Sequence, residues 1–154
     1  MATRAVTFLK KHKIPFELVK YEHQEKGAKF AARATGYSPS HTVKTLVVEF
    51  NRGQYALVLM AGDREVAMKQ LARAGNAKRA ALVDNATAER LTGYLVGGIS
   101  PFGTRQRLPV FMEEGLLGCG TVLINAGQRG SMLKMTPADI KSALDCQMVS
   151  VSQS

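Results

Sequence analysis

"VKTLVVEFNRGQYALVLMAG", residues 43–62, holds two apolar, β-branched runs separated by "NRGQ". A two-residue period places Lys44, Leu46, Val48 and Phe50 on one face of the first run and Val43, Thr45 and Val47 on the other. Both faces are mostly apolar, which is the pattern of a strand buried on both sides. Asn51 and Gly53 stand between the runs, so the segment is expected to fold as a hairpin at the centre of a sheet.

The flanking sequence supplies helices and further strands. Residues 3–13 read as a helix with Val6 and Leu9 inward, ending ahead of Pro15. "FELVKYEH", residues 16–23, alternates like a strand, and "KGAKFAARATG", residues 26–36, has the content of a short helix closed by Gly36. After the hairpin, residues 64–75 are expected as an amphipathic helix closed by Gly75, followed by the strand "AALVD" and the helix "NATAERLTG", capped by Asp84 or Asn85 and ended by Gly93. "TVLINAG" reads as a later strand. "TPADIKSALD" starts a last helix with Thr136 as N-cap and Pro137 in its first turn, and the final "VSVSQS" is expected to be loose. Helices placed irregularly between strand pairs do not give the rhythm of a doubly wound parallel sheet. The expected class is α+β, with a mostly antiparallel mixed sheet, partly barrel-like, flanked by helices.

Composition narrows the function. A chain of 154 residues with 45% hydrophobic content is expected to form one domain, residues 1–154. No apolar run approaches the roughly 20 residues needed to span a bilayer, and "MATRAVTFLKKHK" lacks the apolar block of a secretory signal. A soluble, cytoplasmic protein with no membrane partner is expected. Cys119 and Cys146 lie outside any CxxC pattern and are expected to remain thiols. A net charge of +9 favours polyanionic partners, nucleic acid among them. With 6% aromatic residues and no Trp, stacking of successive bases on an aromatic platform is disfavoured.

His12, His23 and His41 show no metal-ligand spacing, so neither a metal nor a cofactor is expected. There is no GxSxG elbow, no GxxxxGK[ST] loop and no GxGxxG after a strand. Lys44 is the first positive signal. A lysine in this apolar strand either snorkels to water at the strand's end or presents a cation at the mouth of a pocket. Tyr21 and His23 share a strand face and read either as packing or as ligand contacts. The second signal is "TGYLVGGISPFGTRQRLP", residues 92–109. Gly97, Gly98 and Gly103 remove Cβ atoms and Pro101 fixes its own backbone, with Ser100 held between them. Such a loop is either a tight connection or a cradle that brings main-chain N–H groups to an anion. "NAGQRG", residues 125–130, is a second glycine loop directly after a strand.

"KTLVV" at residues 44–48, "TGYLVGGISPFG" at 92–103 and "INAGQRG" at 124–130 resemble, in order and spacing, the YbaK and prolyl-tRNA-synthetase-associated editing domain family. The similarity covers nearly the whole chain. It implies a mixed sheet flanked by helices and hydrolysis of the ester of a wrongly charged tRNA. It also implies that Gly97 to Pro101 is a GxxxP element lining the pocket for the aminoacyl ester and terminal adenosine. Lys44 then matches the functional lysine of the family and Tyr21 a pocket tyrosine. The implied substrate contacts are Tyr21, His23, Gly97, Gly98, Ile99, Ser100, Pro101, Phe102, Gly103, Asn125, Ala126 and Gly127, with Lys44 catalytic. Asn125 stands where a serine is expected and Met132 where an acid is expected. The resemblance points first to cysteine on proline tRNA, where the substrate's own thiol attacks the ester, and next to alanine. The implied partners are the tRNA acceptor end and prolyl-tRNA synthetase; the rival reading is a tRNA-binding module without activity.

Overall fold

The computed structural model describes residues 3–21 and 36–153. In chain order the elements are α1 (Arg4–Lys11), β1 (Glu17–Lys20), β2 (Thr42–Phe50), β3 (Gln54–Ala61), β4 (Glu65–Val66), α2 (Met68–Ala74), β5 (Ala80–Leu82), α3 (Asn85–Thr92), β6 (Val110–Glu113), β7 (Val122–Asn125), β8 (Ser131–Met135), α4 (Pro137–Leu144), β9 (Gln147–Val149) and β10 (Ser152–Gln153). The caps follow side-chain chemistry. The Asp84 carboxylate accepts the Thr87 N–H at 2.8 Å to start α3, and Gly93, at φ 80°, closes it. Thr136 accepts the Asp139 N–H at 3.2 Å to start α4.

β2 and β3 form the expected hairpin, registered from Val43 opposite Ala61 to Phe50 opposite Gln54. The sheet runs in the order β1-β8-β7-β2-β3-β6-β9, with β5 paired to the far half of β2 and β4 paired separately to β10. Five of these pairs are antiparallel and three, β2 with β7, β3 with β6 and β6 with β9, are parallel. The alternation along β2 divides the interior: Val43 and Val47 join a core with Ala5 and Leu9 of α1 and Ile140 of α4. Val48 and Phe50 join a second core with Leu71 of α2.

Three local expectations change. The helix expected from residue 64 begins at Met68, because Glu65–Val66 pairs with Ser152–Gln153. The ending expected to be loose is therefore held as far as Gln153: Val149 and Val151 are buried, and the Val151 N–H is held by the Glu113 carboxylate at 2.7 Å. β6 and β8 are further strands, buried along almost every residue. The helix expected over residues 26–36 lies outside the described residues except for Gly36, whose φ is 81°. No helix among the described residues is long and apolar enough to cross a membrane.

Candidate functional site

β2 is paired along one edge and interrupted along the other. Opposite β3 it meets β7 only at Thr42 and Val43, and β5 only from Val48 to Phe50. A cavity of about 280 Å³ lies at this interruption, lined by Val43, Lys44, Thr45, Leu46 and Val47. Tyr21 after β1, Asn125 at the end of β7 and Met132 on β8 line one part of it. Leu82, Val83 and, from α3, Asn85 and Ala88 line another. Val96, Gly97 and Ile99 complete the wall.

Lys44 is only partly exposed, and its Nζ lies 3.4 Å from Oε1 of Glu65. The Glu65 side chain is 69% exposed. An ion pair of that kind contributes about 1 kcal/mol or less, so an anionic ligand can compete with Glu65 for the ammonium.

Asn125 joins the two glycine loops. Its Nδ2 donates to the Gly97 carbonyl at 3.2 Å, while its Oδ1 accepts the Gly127 N–H at 2.7 Å. The loops also touch directly: a Cβ on Gly98 would stand 2.9 Å from the Gln128 Cα, so only glycine permits this approach. Glu89 on α3 fixes the same wall by accepting the Val96 N–H at 2.8 Å. The Gly98 N–H is taken by the Leu95 carbonyl, whereas that of Gly97 has no hydrogen-bond partner among the described residues. Sequence reading missed this role for Asn125, whose two-sided amide is the feature that suits it.

Of residues 97–103, all expected to contact substrate, Gly97 and Ile99 line this cavity. Gly98 lies behind them against the second loop. Ser100 is fully buried and its hydroxyl accepts the Phe102 N–H at 3.3 Å. Phe102 is also fully buried, stacked on Phe8 of α1 with ring centroids 6.0 Å apart, and its carbonyl accepts from the Tyr94 hydroxyl. Burial pushes the Tyr94 phenol up to about 12. Pro101 and Gly103 line a different depression beside Phe8 and His12. Ala126 is fully buried and its carbonyl accepts from the Thr3 hydroxyl. Gly127 has φ 107° and backs onto the Tyr94 ring. His23 lies outside the described residues. The structure thus brings Tyr21, Lys44, Gly97, Ile99 and Asn125 to one cavity and packs Gly98, Ser100, Phe102, Ala126 and Gly127 into the loops and core beside it.

Sequence reading missed Val83, Ala88 and Val96, which carry no signal beyond an apolar side chain, and Thr45, which sits beside the lysine. Outside the cavity, Lys69, Arg73, Lys78 and Arg79 line a basic groove between α2 and β5. Ala80 lines the groove and Leu82 the cavity, two residues apart on one strand and therefore roughly 7 Å from each other.

Comparison with known proteins places this geometry. A family model described as the aminoacyl-tRNA editing domain matches residues 22–143. EbsC of Enterococcus faecalis, named as a candidate Cys-tRNA(Pro)/Cys-tRNA(Cys) deacylase, is 26% identical over 97% of this chain and 93% of its own length. YwhH of Bacillus subtilis is 27% identical over 80% of this chain and 78% of its own. Among solved structures, the protein APE2540 matches with a TM-score of 0.91 at 23% identity, covering 98% of this chain and 100% of that one. A candidate trans-editing enzyme for prolyl tRNA synthetase matches with a TM-score of 0.87 at 24% identity, covering 98% and 96%. These structural matches establish a shared fold, and the family model spans most of the sequence: the chain belongs to the aminoacyl-tRNA editing domain family.

Proposed function

We propose that this protein is a trans-acting deacylase that hydrolyses the ester of mischarged tRNA, with cysteine on proline tRNA as its first substrate. The observation that carries the reading is the cavity at the interrupted edge of β2, where Lys44 meets the wall formed by Gly97 and Asn125. An aminoacyl ester is already activated, so orienting it and stabilising the developing oxyanion are effective sources of catalysis. The Lys44 ammonium supplies charge, and the Gly97 N–H, without a partner among the described residues, is a donor on the same wall.

In the proposed reaction with a cysteinyl ester, the substrate thiol adds to its own carbonyl carbon. The carbon–oxygen bond to ribose breaks, and the thiol proton passes to the ribose oxygen. The released thiolactone is then opened by water. With an alanyl ester, water adds directly and its proton goes to the ribose. The apolar side chains of Val83, Ala88, Val96 and Ile99 favour a small, uncharged amino-acid side chain.

The basic groove gives the acceptor end a place. A terminal nucleotide held in the cavity brings the preceding phosphates toward Lys69, Arg73, Lys78 and Arg79, and the net charge of +9 favours that approach. Prolyl-tRNA synthetase is the partner proposed to deliver the charged tRNA, consistent with the description of one structural relative.

Ester hydrolysis by the purified protein on cysteine, alanine and serine, each charged on proline tRNA, tests the proposal. Cleavage of the cysteinyl ester first, lost in Lys44→Ala, is expected. Cleavage of alanine or serine in preference moves the substrate assignment. Retained tRNA binding with no cleavage of any ester contradicts the deacylase reading and favours a binding module.

A further inference from the structure

The interrupted edge of β2 carries its own chemistry. The Thr42 carbonyl accepts the Gly62 N–H on the β3 side, and the Val47 carbonyl accepts the Val83 N–H on the opposite side. In an antiparallel strand the N–H and C=O of one residue point to the same edge and alternate with those of the next. Even-numbered residues of β2 therefore serve β3, and the N–H and C=O of Thr45 point away from it. Neither β7 nor β5 pairs with Thr45, so this main-chain pair meets the cavity.

The Thr45 side chain adds a second, independent observation. Its hydroxyl oxygen is sealed from solvent and has no hydrogen-bond partner among the described residues. Buried hydroxyls are normally paired, and this one, on a cavity-lining residue, has no hydrogen bond to hold it against a turn about χ1 toward a ligand's polar group. After that turn Thr45 offers a donor N–H with two acceptors, the carbonyl and Oγ1.

Resting on the deacylase reading, we propose that Thr45 binds the aminoacyl group of the substrate as a single added residue of the sheet. An aminoacyl ester is chemically one amino-acid residue, with a nitrogen donor at one end and an acyl oxygen acceptor at the other. Two residues in a hydrogen-bonded antiparallel pair exchange both such bonds. The Thr45 carbonyl and, once turned about χ1 to face the cavity, its hydroxyl accept from the α-ammonium, and the Thr45 N–H donates to the acyl oxygen. An ammonium has three donors and uses both acceptors, whereas the edge of a nucleobase leaves one unmatched. Pairing in this manner aims the acyl oxygen at a donor and fixes the hand of the α-carbon. It makes Thr45 a residue that selects an L-aminoacyl group with a free amine.

The probes are adenosines carrying L-alanyl, D-alanyl or L-lactyl groups through a non-hydrolysable 3′-amide. Binding is followed by the nitrogen and proton resonances of the Thr45 amide. The L-alanyl probe is expected to shift that amide, with the D-alanyl and lactyl probes binding at least about tenfold more weakly, as loss of a hydrogen bond to a charged group implies. Thr45→Val is expected to weaken the L-alanyl probe to a similar extent while changing the lactyl probe little, and Thr45→Ser to restore binding. Equal binding of all three probes, an unmoved Thr45 amide, or a full shift with adenosine alone would overturn the inference, the last by assigning the edge to the base. Ester hydrolysis with an unmoved Thr45 amide defeats this inference and spares the deacylase reading; a shifted amide without hydrolysis does the reverse.

Discussion

The two edges of β2 are made by the same nine residues and do different work. Toward β3 the strand is paired at eight successive positions. Toward β7 and β5 it is paired at two and three positions, with the cavity between them. Continuous pairing supplies the rigid support, and interruption exposes main-chain groups that a closed sheet would hide. A site can thus come from pairing that stops, provided that the rest of the strand is held firmly.

Stability should therefore respond at the closed edge and activity at the open one. The largest effect is expected for Leu59→Ala on β3, whose side chain is fully buried. It should lower unfolding free energy by about 2–5 kcal/mol, read from urea denaturation. Lys44→Ala should move stability by about 1 kcal/mol or less, as befits a pair with exposed Glu65. It should nevertheless slow deacylation by about 10²–10³-fold, the scale for removing one oxyanion-stabilising group. Full turnover in a folded Lys44→Ala protein would remove that residue from the mechanism.

Two proline substitutions sharpen the contrast. Leu46→Pro deletes an N–H directed at β3 and should cost at least about 1–3 kcal/mol. Thr45→Pro deletes one that faces the cavity, where edge positions tolerate proline, and should unfold at a higher urea concentration than Leu46→Pro. Equal loss of stability in both would contradict the two-edge description. Asn125→Ala breaks the bonds to Gly97 and Gly127. It should raise KM for charged tRNA severalfold, with a modest stability loss of about 1 kcal/mol.

The smallest effect concerns pH. Tyr94, behind the wall, and Cys146 are both pushed up to about 12 by burial, from ordinary values of 10.0 and 9.0. The native state keeps these protons while the unfolded chain loses them. The associated stability is present in full below about pH 9 and falls as pH rises toward 12. The urea midpoint should decline over that window, and Tyr94→Phe together with Cys146→Ala should flatten the decline.

The sequence reveals the hairpin because two strongly apolar runs flank Asn51 and Gly53, and it reveals the caps at Asp84 and Thr136 because side-chain chemistry there is local. Both glycine loops are legible for the same reason. The pairing of Glu65–Val66 with Ser152–Gln153 is not, since two two-residue segments far apart in the chain carry no mutual signal. Nor does "SPFG" reveal that Ser100 and Phe102 turn into the core while Gly97 and Ile99 face the cavity; that depends on Phe8 and Tyr94. Lys44 stands out as a charge among apolar residues. Thr45 does not, because its importance comes from strands that fail to pair with it.

A crystal structure with the L-alanyl adenosine amide would test the central claim most directly. We expect the acyl group in the cavity beside β2, its carbonyl oxygen within hydrogen-bond distance of the Thr45 N–H and its nucleoside directed toward the basic groove. An acyl group seated in the depression beside Pro101 and Gly103, with the β2 edge unoccupied, would contradict it.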